Sequence, residues 1–273
     1  MEKRVIRRNM MKIAIVQAAL QQSQVAENFQ TIQALMEEAT TNQPDVIVLP
    51  ELWNTSFLPE DVKERADKDG KVSRQFLSQF AKNYQVNVVG GSVANKRGDK
   101  LFNTAYVYNR QGQEIATYDK AHLFSPAKEN GYFEAGEASV TFELDGVKCG
   151  IVTCYDLRFP EWVRALALAD AQIVFAPAAW PEVRNLHWDT LGRARAIENQ
   201  LFVVSANSRG PVNGDEEALY GGHSAIIDPW GTYVVTPDLQ VGVKYGEVDL
   251  SVIEGIRSSI NVFNDRRPDI YDI

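Results

Sequence analysis

Short runs of apolar residues recur along the sequence, and they constrain its fold more than any other feature. Residues 45–49 (DVIVL) and 147–153 are two such runs, while 27–38 and 161–169 carry apolar residues at helical spacing. Runs of this length are typical of strands buried on both faces, and the spaced segments are typical of helices that cover them. The alternation predicts a layered α/β domain.

Other predicted strands follow one another without a helix between them. Residues 102–108 and 114–118 predict a strand pair around a glycine-containing turn, and three more candidates lie within 224–248. Strands joined this directly favour a mixed sheet over a purely parallel one. We find no internal repeat and no linker rich in proline, glycine or serine, so we expect one domain over residues 12–273.

Residues 1–11 are expected to form an N-terminal extension ahead of that domain. The segment is basic, which would fit a transit peptide. We favour an irregular extension instead, because Met10 and Met11 are both alternative starts.

Composition excludes several classes of partner. A net charge of −8 and a pI near 5.1 argue against nucleic acid and anionic membranes. Two cysteines do not support a disulfide scaffold. No apolar run approaches the roughly 20 residues that span a bilayer, and we see no secretory segment. We therefore expect a cytoplasmic protein.

Three residues that could react follow predicted strands directly: Glu51, Lys120 and Cys154. In open α/β sheets, ligands bind outside the carboxyl ends of the strands. Apolar surroundings would raise the pKa of the Glu51 carboxyl and suit it to proton transfer near neutral pH. Lys120 could stabilise an anion at any physiological pH. Capping, ion pairing and plain solvent exposure are the structural alternatives for these two residues.

The position of Cys154 favours a reactive thiol. It ends a buried strand, and a helix is predicted to begin after Pro160. Helix N-termini and nearby cations lower the pKa of a thiol, so we expect Cys154 to form a thiolate. Cys149, within the same strand, is interpreted as an inert core residue.

Several other chemistries lack their motifs. The sequence has no G-x-S-x-G elbow, no P-loop and no G-x-G-x-x-G. The two cysteines and three histidines lack the spacing of zinc ligands. These absences disfavour a serine hydrolase, a nucleotide-binding enzyme and a zinc site.

Three blocks together resemble the signatures of the nitrilase (carbon–nitrogen hydrolase) superfamily. They are LPELW at 49–53, YDKAHLF at 118–124 and CYDLRFPEW at 154–162. RARAIENQ at 193–200 and IDPWG at 227–231 extend the resemblance, which covers roughly residues 12–271.

This resemblance implies a four-layer α-β-β-α sandwich that assembles as a homodimer or a larger homo-oligomer. It also implies hydrolysis of carbon–nitrogen bonds without metal or organic cofactor. Cys154 would be the nucleophile, Glu51 the general base and Lys120 the oxyanion stabiliser, helped by the backbone N–H of Tyr155. Glu129 stands where many members carry a second catalytic glutamate, and it would orient Lys120 or the substrate amide.

Within the superfamily, the sequence most resembles the ω-amidase group, whose members deamidate 2-oxoglutaramate and 2-oxosuccinamate. Such a small-molecule amide carries an α-keto carboxylate and needs a cation in the pocket. Arg158, Arg184 and Arg193 are candidates, with salt bridges as their alternative role. Phe57 and Trp180 are candidate pocket walls, with core packing as theirs.

Other functions stay open at this stage. A nitrilase, an N-carbamoyl amidohydrolase and a deaminated-glutathione amidase would use the same three catalytic residues. A thiol hydrolase with a Cys–His pair would need one of His122, His187 and His223. A non-catalytic binding protein of the same fold is the third class of function.

Overall fold

The computed structural model describes residues 9–212 and 215–271, and within them the chain forms fifteen strands and six α-helices. The helices are α1 Val25–Thr40, α2 Val62–Arg65, α3 Lys71–Tyr84, α4 Pro160–Leu168, α5 Asn185–Asn199 and α6 Ser251–Ser259. The strands are β1 Met10–Gln17, β2 Val46–Val48, β3 Asp67–Lys68, β4 Asn87–Arg97, β5 Lys100–Tyr108, β6 Glu114–Asp119, β7 Val140–Leu144, β8 Val147–Ile151, β9 Ile173–Ala178, β10 Phe202–Asn207, β11 Arg209–Val212, β12 Asp215–Gly221, β13 Ala225–Ile227, β14 Tyr233–Val235 and β15 Gly242–Asp249.

Two mixed sheets form the centre of the domain. The first has the order β15-β1-β2-β4-β5-β6, with β3 paired to β4, and its strands β1, β2 and β4 are parallel. The second has the order β14-β13-β10-β9-β8-β7, with β8, β9 and β10 parallel. Strands β11 and β12 pair as a separate hairpin. The predicted α/β class and mixed pairing are confirmed.

The alternation of side chains along β1 shows how the layers are built. Ile13 and Ile15 belong to a core cluster that also contains Phe175 of the second sheet, so this cluster lies between the sheets. Ala14 and Val16, which point the other way, share a cluster with residues of α1 and α3. Each fully buried aliphatic side chain contributes about 1.5–3 kcal/mol to stability.

The second sheet is covered in the same manner. Val163 and Leu166 of α4 and Ala196 of α5 share a cluster with Val174 of β9 and Val203 of β10. The order of layers is therefore helix, sheet, sheet, helix, and the predicted four-layer sandwich is confirmed.

The first strand begins earlier than predicted. Met10 and Met11 pair with Asp249 and Val248 of β15, so β1 starts inside the segment assigned to the extension. Residues 1–8 lie outside the described residues. The division into an extension and one domain stays a prediction.

Strand β7 and the hairpin β11–β12 were not predicted. β7 lies at the edge of its sheet and is only partly buried, so it lacks a continuous apolar run. The hairpin contains Gly210, Pro211 and Asp215, which are residue types that are rare in strands. They adopt extended backbone here because β11 and β12 pair with each other. Among the described residues, no helix is long and apolar enough to cross a membrane.

A bulge in β4 fixes the turn that follows β2. Gly91 has φ +60°, and a Cβ at this position would lie 2.0 Å from the carbonyl oxygen of Pro50. The N–H of Ser92 donates to the same oxygen at 3.1 Å. The residue after Pro50 is Glu51, so the close approach at Gly91 positions a predicted catalytic carboxylate.

We predict that Gly91→Ala lowers the free energy of unfolding by about 3–5 kcal/mol, because it adds a backbone clash to a left-handed conformation. Gly98→Ala is the matched control, since Gly98 also has φ +60° but a Cβ there would have no neighbour within 4 Å. The control should lose about 1–2 kcal/mol. Urea unfolding of both variants measures the difference, and equal losses would contradict the clash.

Candidate active site

The ends of three strands bring the predicted catalytic residues together. Glu51 lies three residues after β2, Lys120 directly follows β6, and Cys154 lies three residues after β8. Glu129 lies in the 3₁₀ turn Glu129–Gly131. The side chains of Glu51, Lys120 and Glu129 have no exposed surface, and Cys154 is 7% exposed. The four residues thus form one buried cluster.

Glu51 is held by donors from three segments. Its Oε1 accepts hydrogen bonds from Lys120 Nζ at 2.9 Å and from Asn103 Nδ2 at 2.8 Å. Its Oε2 accepts one from the backbone N–H of Ala179 at 2.9 Å. Burial raises the pKa of the Glu51 carboxyl, the charge of Lys120 opposes this shift and that of Glu129 adds to it. The raised pKa confirms the expectation from the apolar surroundings.

Lys120 lies between two carboxylates. Its Nζ is 2.9 Å from Glu51 Oε1 and 2.8 Å from Glu129 Oε2. Burial favours the neutral amine, but Glu129, Glu51 and Cys154 together raise the pKa of Lys120 well above its usual value. The ammonium is therefore a fixed positive charge beside Cys154.

Cys154 occupies a strained position. It begins the 3₁₀ turn Cys154–Arg158 with φ +49°, in the left-handed region that side-chain-bearing residues rarely adopt. Burial and the charge of Glu51 raise the pKa of the thiol well above its usual value, and Lys120 opposes them. The prediction of a lowered thiol pKa is therefore wrong, because desolvation outweighs the nearby cation. The thiol keeps its proton until a base removes it.

Asn103 was not predicted as a site residue. Its Nδ2 donates to Glu51 at 2.8 Å and to Glu129 at 3.1 Å, so one buried amide bridges both carboxylates. The backbone N–H of Lys120 donates to the carbonyl oxygen of Asn103 at 2.9 Å. The only signal in the sequence was the segment FNTA at 102–105, which resembles an asparagine–threonine block of the superfamily.

Asp156, also not predicted, ties the segment of Lys120 to the turn of Cys154. Its Oδ2 accepts hydrogen bonds from Tyr118 Oη at 2.6 Å and from the N–H of Thr153 at 2.8 Å. Its Oδ1 accepts one from the N–H of His122 at 2.9 Å. These bonds hold the end of β6 in the first sheet close to the end of β8 in the second.

The histidines do not support the Cys–His alternative. The ring Nδ1 of His122 is 2.8 Å from Asp156, and that of His223 is 3.0 Å from Asp189. The ring of His187 lies 3.3 Å from an Arg158 nitrogen. Within the described part of the chain, no histidine lines the cavity at Cys154.

A cavity of about 290 Å³ opens at Cys154. The predicted substrate-binding residues Phe57, Tyr155, Arg158 and Trp180 all line it. The other lining residues are Leu58, Phe124, Ala127, Tyr132, Ala179, Pro181, Arg184, Val212, Ala218 and Tyr220. The cavity is thus mostly apolar and aromatic, with two arginines.

Arg193, the third candidate for a substrate cation, does not line this cavity. Its Nε donates to the carbonyl oxygen of Gly231 at 2.8 Å, and its guanidinium lies over the Tyr233 ring. None of the described residues of α5 lines this cavity, whereas Arg184, in the turn before the helix, does. The described residues contain no group of three or more histidine, cysteine or acidic side chains that could hold a metal ion.

Known proteins resemble this chain along nearly its whole length. 2-Oxoglutaramate amidase of Bacillus subtilis (strain 168) is 40% identical over 259 residues, covering 95% of this chain and 98% of that protein. Omega-amidase NIT2 of Danio rerio is 34% identical, with 96% of each chain covered. The crystal structure of Saccharomyces cerevisiae Nit3, a member of branch 10 of the nitrilase superfamily, has a TM-score of 0.87 and 30% identity. It covers 95% of this chain and 97% of that one.

The family model described as carbon-nitrogen hydrolase matches residues 12–258. This match confirms the superfamily and the class of hydrolase that the three sequence blocks predicted. The chain belongs to the carbon–nitrogen hydrolase family.

Proposed function

We propose that this protein is an ω-amidase, which hydrolyses the amide of 2-oxoglutaramate or 2-oxosuccinamate to a 2-oxo acid and ammonia. The observation that carries the proposal is the buried cluster of Glu51, Lys120 and Cys154 at a cavity that also contains Arg158. The cluster supplies the chemistry, and the arginine supplies a cation for a carboxylate. Relatives named 2-oxoglutaramate amidase and omega-amidase support the choice of substrate.

In the first step, the sulfur of Cys154 bonds to the amide carbon while Glu51 accepts the thiol proton. The two events are coupled because the pKa of the thiol is raised and Glu51 is its neighbouring base. The carbonyl oxygen becomes an oxyanion, stabilised by Lys120 and by the backbone N–H of Tyr155. Loss of one such donor typically costs about 10²–10³ in turnover.

In the second step, the carbon–nitrogen bond breaks, and Glu51 donates its proton to the departing ammonia. The product on the enzyme is a thioester. Glu51, again a carboxylate, then accepts a proton from water, whose oxygen attacks the thioester carbon. The carbon–sulfur bond breaks, the acid is released, and the proton on Glu51 returns to Cys154.

Glu129 and Asn103 act as positioning residues in this scheme. Glu129 holds Lys120 through both carboxylate oxygens. Its Oε2 also accepts a hydrogen bond from the backbone N–H of Phe124 at 2.6 Å. Asn103 donates to both glutamates. Lys120 is therefore fixed beside the nucleophile before substrate binds.

The remaining sequence alternatives differ in how far the site supports them. A nitrilase, an N-carbamoyl amidohydrolase and a deaminated-glutathione amidase would use the same cluster and differ only in substrate. A non-catalytic binding protein would not require a base, Glu51, and a cation, Lys120, buried beside the thiol of Cys154. A cytoplasmic location and assembly as a homodimer or larger homo-oligomer stay predictions from the sequence.

Substrate choice is tested by ammonia release from 2-oxoglutaramate, glutamine, deaminated glutathione, an N-carbamoyl amino acid and an aliphatic nitrile. We expect 2-oxoglutaramate to have a kcat/KM at least about tenfold above any other, equivalent to about 1.4 kcal/mol of transition-state binding. Preferred turnover of another member would replace the substrate and keep the cluster's chemistry. No turnover of any member would overturn the proposal.

We predict that Cys154→Ala abolishes turnover, because removing the nucleophile of a covalent hydrolase costs on the order of 10⁶ in kcat. Cys149→Ala is the matched control, since Cys149 is a buried thiol in β8 that does not line the cavity. The control should retain activity within about twofold, and circular dichroism should show both variants folded. Residual turnover in Cys154→Ala above about one thousandth of the native rate would contradict the assignment of the nucleophile.

The pH profile should depend on Glu129. On the acid side of the pH profile, kcat/KM falls where the general base of the free enzyme becomes protonated. That base is Glu51, so kcat/KM should fall as the pH drops through its raised pKa. The limb should therefore lie above the ordinary glutamate pKa of 4.5. Glu129→Gln removes a negative charge that raises this pKa, and the limb should move to lower pH. A limb that does not move, or moves upward, would exclude Glu129 as an electrostatic neighbour of the base.

A further inference from the structure

The buried glutamate beside Lys120 has its acceptor sites filled before substrate binds. A carboxylate offers about four lone-pair sites for hydrogen bonds. Those of Glu129 receive Lys120 Nζ on both oxygens, Asn103 Nδ2 on Oε1 and the N–H of Phe124 on Oε2. Glu129 therefore has no acceptor left for a substrate amide, and its contacts favour the orientation of Lys120 over that of the amide.

Glu51 is filled in the same way. Lys120 and Asn103 donate to its Oε1. The N–H of Ala179 donates to its Oε2, and the thiol of Cys154 donates to the same carboxylate. The proposed mechanism uses this last contact to move the thiol proton. A primary amide brings two N–H groups into the cavity, and neither buried carboxylate has a site left to accept them.

Few of the described side chains that line the cavity can accept a hydrogen bond. A guanidinium and an indole N–H are donors only, so Arg158, Arg184 and Trp180 offer no acceptor. A tyrosine hydroxyl both donates and accepts. Apart from Cys154, the remaining polar side chains of the lining are three tyrosines: Tyr132, Tyr155 and Tyr220.

Tyr220 is the most deeply buried of these tyrosines. It is 1% exposed, whereas Tyr132 is 46% exposed and Tyr155 is half-buried. Ser56 and the backbone of Phe57 lie near the phenol oxygen of Tyr220. Within the described part of the chain, however, no group completes a hydrogen bond to this buried oxygen. A buried polar atom without a partner destabilises the protein, and a bound ligand can supply the partner.

The hydroxyl of Tyr220 lies close to the reacting groups. Burial raises the pKa of Tyr220 to about 12, Ser56 and the backbone of Phe57 oppose this shift, and the negative charges of Glu51 and Cys154 add to it. The phenol is therefore neutral at physiological pH. Because the charges of the base and of the nucleophile both act on it, the hydroxyl belongs to the end of the cavity where the amide reacts.

Backbone contacts fix Tyr220 relative to the base. Tyr220 forms an isolated antiparallel bridge with Pro181, two residues after the Ala179 whose N–H donates to Glu51. Its carbonyl oxygen also accepts a hydrogen bond from Arg209 Nη1 at 2.7 Å. One segment therefore positions both the general base and the tyrosine before substrate binds.

We propose that the hydroxyl of Tyr220 accepts an N–H of the substrate amide and holds the nitrogen while it leaves as ammonia. The inference rests on the proposed function and adds a catalytic residue to it. Tyr220 exchanges no proton: the thiol proton still passes from Cys154 to Glu51 and then to the nitrogen. As the nitrogen gains this proton, its N–H groups become stronger donors, so their contact with the hydroxyl strengthens while the carbon–nitrogen bond breaks.

The test compares an amide with the methyl ester of the same acid, because the ester has no N–H for Tyr220 to accept. The amide is the one that the native enzyme turns over fastest. Tyr220→Phe removes only the hydroxyl, and Tyr106→Phe is the matched control, since Tyr106 is 3% exposed and does not line the cavity. We would measure kcat/KM for both substrates, and Kd by calorimetry with Cys154→Ala added, so that the comparison does not require ester turnover.

We expect Tyr220→Phe to lower kcat/KM for the amide by roughly fivefold or more and to raise its Kd, since a lost neutral hydrogen bond typically changes an equilibrium by about 2–12-fold. Both quantities should change by less than about twofold for the ester. The Tyr106→Phe control should stay within about twofold for both substrates. Urea unfolding of Tyr220→Phe should show no loss of stability, because the removed hydroxyl has no partner in the free protein.

The outcomes separate this inference from the proposed function. Equal losses for amide and ester would show that Tyr220 only shapes the cavity, and an unchanged amide would show that it makes no contact; either result overturns the inference. An amide-selective loss with an amide other than 2-oxoglutaramate would support Tyr220 and refute the proposed substrate. Absence of turnover with every amide would overturn both proposals.

Discussion

The buried contact of Lys120 with Glu51 and Glu129 is the interaction on which the rest of the site depends. Each of these ions lost its hydration on folding, at an effective cost of several kcal/mol per ion. Only close pairing offsets that cost, and the Nζ distances of 2.9 and 2.8 Å provide it. Removing one partner would leave an uncompensated buried charge, which typically destabilises by about 3–5 kcal/mol. The same pairing keeps Lys120 charged and Glu51 within reach of Cys154.

The two sheets supply the rigidity that this contact needs. Glu51 follows a strand of the first sheet and Cys154 follows a strand of the second, so their separation depends on the packing between the sheets. Close backbone approaches then fix the turns: the Gly91 bulge meets the turn before Glu51, and a Cβ at Gly136 would lie 2.1 Å from the carbonyl oxygen of Asp119. Asp156 joins the segments of Lys120 and Cys154 directly. The core therefore affects catalysis by setting the distances between the catalytic residues, although it does not contact the substrate.

Sequence patterns predicted the elements that present Glu51, Lys120 and Cys154, because apolar periodicity and strand ends are local signals. The raised pKa of the Cys154 thiol was not predictable in the same way, since it depends on how much water three distant segments exclude together. Asn103 contacts Glu51 across 52 positions of sequence, and no local pattern marks such a contact. Arg193 and Arg184 were equivalent candidates in the sequence, and only the geometry of α5 and the turn before it separates them. The assignments of catalytic roles stay predictions that mutagenesis can test.

The charges of the site differ in sign between the buried cluster and the cavity lining. Two carboxylates and one ammonium give the region around Cys154 an excess of negative charge when both carboxylates are ionised, whereas Arg158 and Arg184 make another part of the lining positive. An amide with a distant carboxylate would be oriented by this difference before any bond forms. Under the proposed function, hydrolysis creates a second carboxylate next to Glu51, where substrate had a neutral amide. Repulsion between these like charges favours departure of the product, so the arrangement that orients the substrate also distinguishes it from the acid it becomes.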